Sequence, residues 1–328
     1  MPSLSAVKAS NAGYSLSPAV LPVALFFGGT SGIGRATVEA FARSTAGNAH
    51  IIILARNKSA AEAILSTFPK PSGSSNWKHE FIQCDVSLMK TLDHVTHTLL
   101  HTLPKINYLF ISSGFLSFRG RSETAEGIDA QMAVRYYSRW KIVNDLLPLL
   151  HKAADTAAGE AASVLNVLDP MRGTKIESME DFGLKKPGRY SGLKAATITL
   201  TYTDLAKEEF SLRNPSIAFT HIHPGFVNTP LFTSEHWIMK LVAPLLRPLM
   251  WAFMTSPEVC AEYMLYALLN TTAISKKTSD PAMHNRMGET ADELGMKAHP
   301  YPDSEARQVI RKALWDHTVE EVAAAMET

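Results

Sequence analysis

The chain has 328 residues, 46 % hydrophobic and 19 % charged, and 32 Lys+Arg against 31 Asp+Glu leave a formal charge of +1. This composition excludes disordered, collagen-like and coiled-coil classes and fits a globular chain with a large buried core. Near-neutral charge argues against a nucleic-acid surface, which needs a clustered basic field. Two cysteines are too few for a disulfide framework, so a reducing, cytoplasmic setting is expected.

No basic region precedes an apolar stretch at the N-terminus, so no signal peptide is expected, and the first apolar run, 20–27, ends in glycines and reads as a strand. Further along, β-rich apolar runs at 23–27, 49–54, 79–83, 107–111, 163–168 and 217–222 alternate with helical patterns. Those helices are expected near 33–44, 59–68, 87–102, 128–152 and 190–210. The alternation implies right-handed crossovers and an α/β fold, a doubly wound parallel sheet with helices on both faces. Residues 70–76, KPSGSSN, read as a surface loop.

After residue 222 the pattern becomes apolar helix interrupted by proline, then a polar section whose residues 304–326 read as a helix. The segment Ile238–Met254 is broken by Lys240, Pro244, Arg247 and Pro248, so it is not expected to span a membrane. Peripheral membrane contact, or a lid over an apolar substrate, stays open for it. The whole chain reads as one domain: a dinucleotide-binding core over 20–231, apolar helices over 232–270 and an extension over 271–328.

Gly28-Gly29-Thr30-Ser31-Gly32-Ile33-Gly34 lies between the first strand and the first core helix. Glycines there let the backbone approach a pyrophosphate, and the helix N-terminus offers free N–H donors and a positive dipole end. At the end of the second strand an acid would favour NAD, whereas arginine accommodates a 2′-phosphate. Here Ala55-Arg56-Asn57 carries no acid, which points to NADP(H) with Arg56 as the phosphate clamp. A largely reduced NADP pool makes reduction the expected direction.

Tyr190-Ser191-Gly192-Leu193-Lys194 is expected to open a helix, with phenol and ammonium on one face at i, i+4. A neighbouring Lys⁺ lowers a phenol pKa and lets it shuttle a proton. With these pieces in order the chain resembles the short-chain dehydrogenase/reductase family from about residue 23 to 231. Asp85-Val86 after the third strand and Pro224-Gly225-Phe226-Val227-Asn228-Thr229 after the sixth add to the likeness. The resemblance implies that Asp85 contacts the adenine, Tyr190 donates the proton and Lys194 binds the nicotinamide ribose. It implies that Val227 and Thr229 lie by the carboxamide and the phosphates. Many members are dimers or tetramers, so a homo-oligomer stays open.

Three departures from the family pattern stand out. Ile111-Ser112-Ser113-Gly114 replaces an Asn-Asn-Ala-Gly turn, though Ser112, Ser113 and Gly114 still let backbone pass beneath a cofactor. Arg135 falls where a helix asparagine is expected. Leu168-Asp169 stands where a strand ends in the catalytic serine, and an ionised Asp169 can only accept a hydrogen bond. Asp169 would serve if protonated or paired with Arg135; Ser191 and Ser163 are other hydroxyls within view. The long 170–189 insertion, with Met171, Met179 and Phe182, offers a substrate wall.

His94, His97 and His101 read as a solvated helix face without a metal, His221 and His223 as strand-end residues, and Cys84 as core. Low polarity after residue 229 suggests a small lipophilic ketone or alcohol such as a terpenoid, steroid-like or polyketide-derived compound. The altered serine and asparagine positions keep a second reading open: a non-redox, NADP-binding descendant.

Overall fold

A computed structural model describes residues 1–14, 21–71, 76–155, 160–229, 254–275 and 285–328, without the side chains of 271–275. The strands are β1 (Val23–Phe27), β2 (His50–Ala55), β3 (Lys78–Gln83), β4 (Tyr108–Ile111), β5 (Ser163–Val167), β6 (Ala218–Ile222) and β7 (Asn285–Met287). They form a parallel sheet in the order β3-β2-β1-β4-β5-β6-β7. The strand residues alternate between two hydrophobic layers: Val23, Leu25 and Phe27 face one, Ala24 and Phe26 the other. Burial of both faces is why the central strands read as unbroken apolar runs.

Around the sheet lie α1 (Leu4–Ala12), α2 (Gly32–Ser44), α3 (Lys58–Ser66), α4 (Met89–Thr102), α5 (Ala130–Met132), α6 (Ser138–Ala154), α7 (Gly192–Arg213), α8 (Pro257–Ser275) and α9 (Ser304–Glu327). One layer packs α2 and α8 together, with α1 against α8; the other packs α4, α6 and α7. A π-helical turn, Ala133–Tyr137, joins α5 to α6 and carries Arg135. The C-terminal helix α9 lies on α7 and α4, outside that second layer.

Two features depart from the sequence reading. The first is β7, whose centre is Arg286, a polar residue at a buried position. It is held by Asp204 of α7 (Nε to Oδ2, 2.9 Å), while Nη1 donates to Gly295 and Lys297 carbonyls. The second is the start of α7. Its first residue is Gly192, capped by Ser191 Oγ accepting from Lys194 N (3.2 Å), so Tyr190 stands outside the helix. Gly192 fixes this point because any Cβ there would overlap the Ser117 carbonyl.

Among the described residues no helix is long and apolar enough to cross a membrane. The segment 238–254 lies outside the described residues except for Met254, as does the centre of the 70–76 loop.

Candidate active site

In the strand order, direction reverses between β1 and β4, and such a switch point opens a crevice beyond the C-terminal strand ends. Phe27 and Ile111, the last residues of β1 and β4, are register partners at that edge. The glycine turn follows Phe27. Gly28 has φ +92°, and a Cβ on it would come within 2.7 Å of Ser113 N, so Gly28 and Ser113 form one close-packed floor. A Cβ at Gly34 would overlap the Gly28 carbonyl and Ser112 Oγ, which binds α2 tightly against the turn. Ser31, the N-cap of α2, makes no side-chain cap hydrogen bond, so the first N–H groups of a 13-residue helix are not capped by it.

The remaining cofactor candidates gather at the same edge. Thr229 Cγ2 lies 3.1 Å from where a Gly32 Cβ would be, which puts Thr229 against the phosphate turn. Pro224 and Gly225 are partly exposed beside it, and Val227 is buried and bridged to Thr255. Thr30, Ile33, Ser112 and Ser113 are half-buried, and Gly114 is exposed. Arg56 is fully available at the end of β2, exposed and without an ion-pair partner among the described residues. Asn57 is exposed too, but its amide oxygen caps α3, accepting from Ala60 N at 3.0 Å and Ser59 Oγ at 2.9 Å. Asp85 spends one carboxylate oxygen on Ser87 N and Oγ, while Val86 joins the core.

An open turn backbone, an uncapped helix start and an unpaired guanidinium together fit a phosphorylated dinucleotide. The donor set is right for phosphate: N–H groups and a planar cation.

The catalytic candidates are arranged differently from expectation. Because Tyr190 precedes α7, the i, i+4 face with Lys194 does not form. Tyr190 instead lies within the influence of Asp129, the N-cap of α5, with the Arg121 guanidinium 6.0 Å from its ring centroid. Burial, and then the Asp129 charge, push the phenol pKa well above its ordinary value. Lys194 Nζ turns to Glu177 Oε2 (2.7 Å) in the 170–189 insertion, where Arg189 shares the same oxygen. Those two cations hold the Glu177 carboxyl below the usual carboxylate range.

Asp169 does follow β5 at the crevice edge. It accepts from Met171 N (2.9 Å) and faces Arg172 (3.4 Å) and His223 Nδ1 (3.5 Å). Burial holds the His223 pKa down. Arg135 attracts Asp169 across space but is not its hydrogen-bond partner: Nη2 donates to Ala196 O (3.1 Å) and Nε to Thr199 Oγ1 (3.3 Å). The two other hydroxyls differ in position. Ser163 begins β5, at the far end of the strand, whereas Ser191 Oγ accepts the α7 cap bond from Lys194 N and keeps its own O–H to donate. Phe182 is core, packed on Tyr202 and His317, rather than substrate wall.

Several residues at the site carry no local sequence signal. Arg139, one turn after Arg135, lies under the crevice floor and donates to the carbonyls of Ile111, Ser113 and Val167 and to Asn166 Oδ1. Asp129 and Glu177 emerge as the partners of Tyr190 and Lys194.

Phe115, Phe118, Met179, Leu193 and Phe226 are exposed, and each sits on a segment leaving the C-terminal end of β4, β5 or β6. The three histidines of α4 are exposed, and His101 Nδ1 contacts the His97 carbonyl (2.8 Å).

Comparison with known proteins agrees with the fold. Residues 22–237 match the family model described as short chain dehydrogenase. Oxidoreductase AN1596 of Emericella nidulans is 36 % identical over 77 % of this chain and 72 % of its own. Oxidoreductase andH of Emericella variicolor is 32 % identical over 81 % and 74 %. Among solved structures, the L-sorbose reductase of Gluconobacter frateurii, complexed with NADPH and L-sorbose, superposes with a TM-score of 0.59. It covers 84 % of this chain and 97 % of its own at 16 % identity, a likeness of fold.

Proposed function

The chain belongs to the short-chain dehydrogenase/reductase family, and from that premise we propose that it is an NADP(H)-dependent reductase of a lipophilic ketone. The observation that carries the cofactor choice is Arg56, exposed and unpaired at the end of β2 where no acid stands. Gly28–Gly34 and the α2 N-terminus would hold the pyrophosphate, Thr229 would close over it, and Asp85 would meet the adenine. When bound, the nicotinamide supplies a hydride to the substrate carbon.

The chain's own part is to place and protonate the substrate. Exposed Phe115, Phe118, Leu193 and Phe226 favour an apolar body, and the reacting oxygen would take its proton from Tyr190. Burial and Asp129 keep the phenol protonated, the form that reduction requires. Lys194 would lie by the nicotinamide ribose on leaving Glu177.

One observation favours a second reading. Tyr190 and Lys194 have separate acidic partners, and Asp169 offers no donor in place of serine. That arrangement suits a non-redox protein that keeps the dinucleotide crevice for binding. Incubation with NADPH and a panel of lipophilic ketones separates the two: ketone-dependent loss of reduced-nicotinamide absorbance supports the reductase. Tight NADPH binding with no oxidation across the panel supports the second reading.

A further inference from the structure

Between the π-turn, α6 and α7, beneath α9, lies a small cavity walled by Tyr136, Arg139, Trp140, Thr203, Lys207 and Phe210 among others. Every wall residue is buried, and the space for the centre of a water-sized sphere is about 10 Å³, room for one small body. Trp315 of α9 covers it, its ring 5.2 Å from Trp140 and 4.9 Å from Phe210.

Among the described residues three nitrogens of these walls lack an acceptor: Arg139 Nε, Trp140 Nε1 and Lys207 Nζ. All three are donors when the lysine is charged, and two then carry charge. Lys207 Nζ lies 5.4 Å from the Phe219 ring centroid, and among the described residues no carboxylate pairs with it. The neighbouring acids on α7 are committed, Asp204 to Arg286 and His221, Glu208 to Arg307 and Arg311. Arg139 uses both Nη groups on the crevice-floor carbonyls, so only its Nε is left. Burying two mutually repelling cations without an anion is costly. Burial pulls Arg139 down to about 9 and Lys207 well below its ordinary value.

We propose that this cavity is a buried halide site, occupied by chloride held by Lys207 Nζ, Arg139 Nε and Trp140 Nε1. Water fits less well: it brings two hydrogens and leaves Arg139, and Lys207 whenever it is charged, without a counter-charge. The hydroxyls of the wall are already engaged, Thr203 with the Thr199 carbonyl and Tyr136 with Thr318. A multi-atom oxyanion exceeds the space. The site is independent of the reductase reading, since none of its contacts is to substrate or cofactor.

Crystals of the full chain grown in sodium bromide are expected to show an anomalous peak within hydrogen-bond reach of Lys207 Nζ. In solution, sodium chloride is expected to raise Tm saturably by about 3–5 °C at a hundredfold excess over Kd. Lys207→Met should lose the saturable part and keep only the linear salt effect. A bromide-grown crystal without the peak, or the same saturable rise in the folded variant, overturns the site. If the variant does not fold, the anomalous map alone decides.

Discussion

The protonation of Tyr190 is governed first by burial and then by two neighbours, Asp129, which adds to the rise in pKa, and Arg121, whose guanidinium opposes it. Tyr190→Phe is therefore expected to cut ketone reduction by about 10²–10⁴-fold while NADPH affinity changes little, read by steady-state kinetics and equilibrium titration. Turnover at the wild-type rate would remove Tyr190 from the chemistry. Asp129 raises the phenol pKa, so Asp129→Asn should move the alkaline limit of reduction to lower pH; a shift upward, or none, would contradict that role. These partners could not be seen in the sequence. The Tyr-x-x-x-Lys spacing is local, but Glu177 and Asp129 come from an insertion and a cap that only the fold brings near.

Element by element, the central strands were legible because both faces are buried, and alternate residues of β1, β2 and β4 divide cleanly between two apolar layers. Helix boundaries were less so. The apolar pattern ran α7 back to Tyr190, whereas the close approach of Gly192 to Ser117 sets its start. β7 was missed because Asn285-Arg286-Met287 is short and polar, and its stability comes from a long-range acid. Helix α9 is a dependent element, seated by Leu314 and Val322 in the core and by Arg307 and Arg311 on Glu208. Leu314→Ala, at a site only 1 % exposed, should cost about 2–5 kcal/mol in chemical denaturation. A loss below about 1 kcal/mol would mean that α9 is loosely held. His317 on this helix donates to or accepts from Tyr137 Oη (2.8 Å), and burial lowers its pKa from the ordinary 6.5. The unfolded chain then binds more protons, so this contribution to stability is intact above about pH 6.5 and lost as pH falls toward the folded value. The measured fall in Tm on acidification should be shallower in His317→Gln.

At the scale of the whole molecule, a buried charge centre ties sheet to extension. Asp204 binds His221 of β6 (2.6 Å) and Arg286 of β7, and Arg286 Nη2 reaches the Pro170 carbonyl beyond β5. Asp204→Asn would leave Arg286 buried without its counter-charge and is expected to cost about 3–5 kcal/mol, checked by denaturant unfolding. This framework holds β5, β6 and β7 in place, so their C-terminal ends meet the glycine turn at one crevice. The claim on which the rest turns is that this crevice takes a 2′-phosphorylated dinucleotide. Titration of NADPH and NADH into wild-type protein and Arg56→Ala tests it most directly. The wild type is expected to bind NADPH about 10–100-fold tighter than NADH, with that preference lost in the variant. Equal affinity of the wild type for the two dinucleotides, or binding of neither, would contradict it.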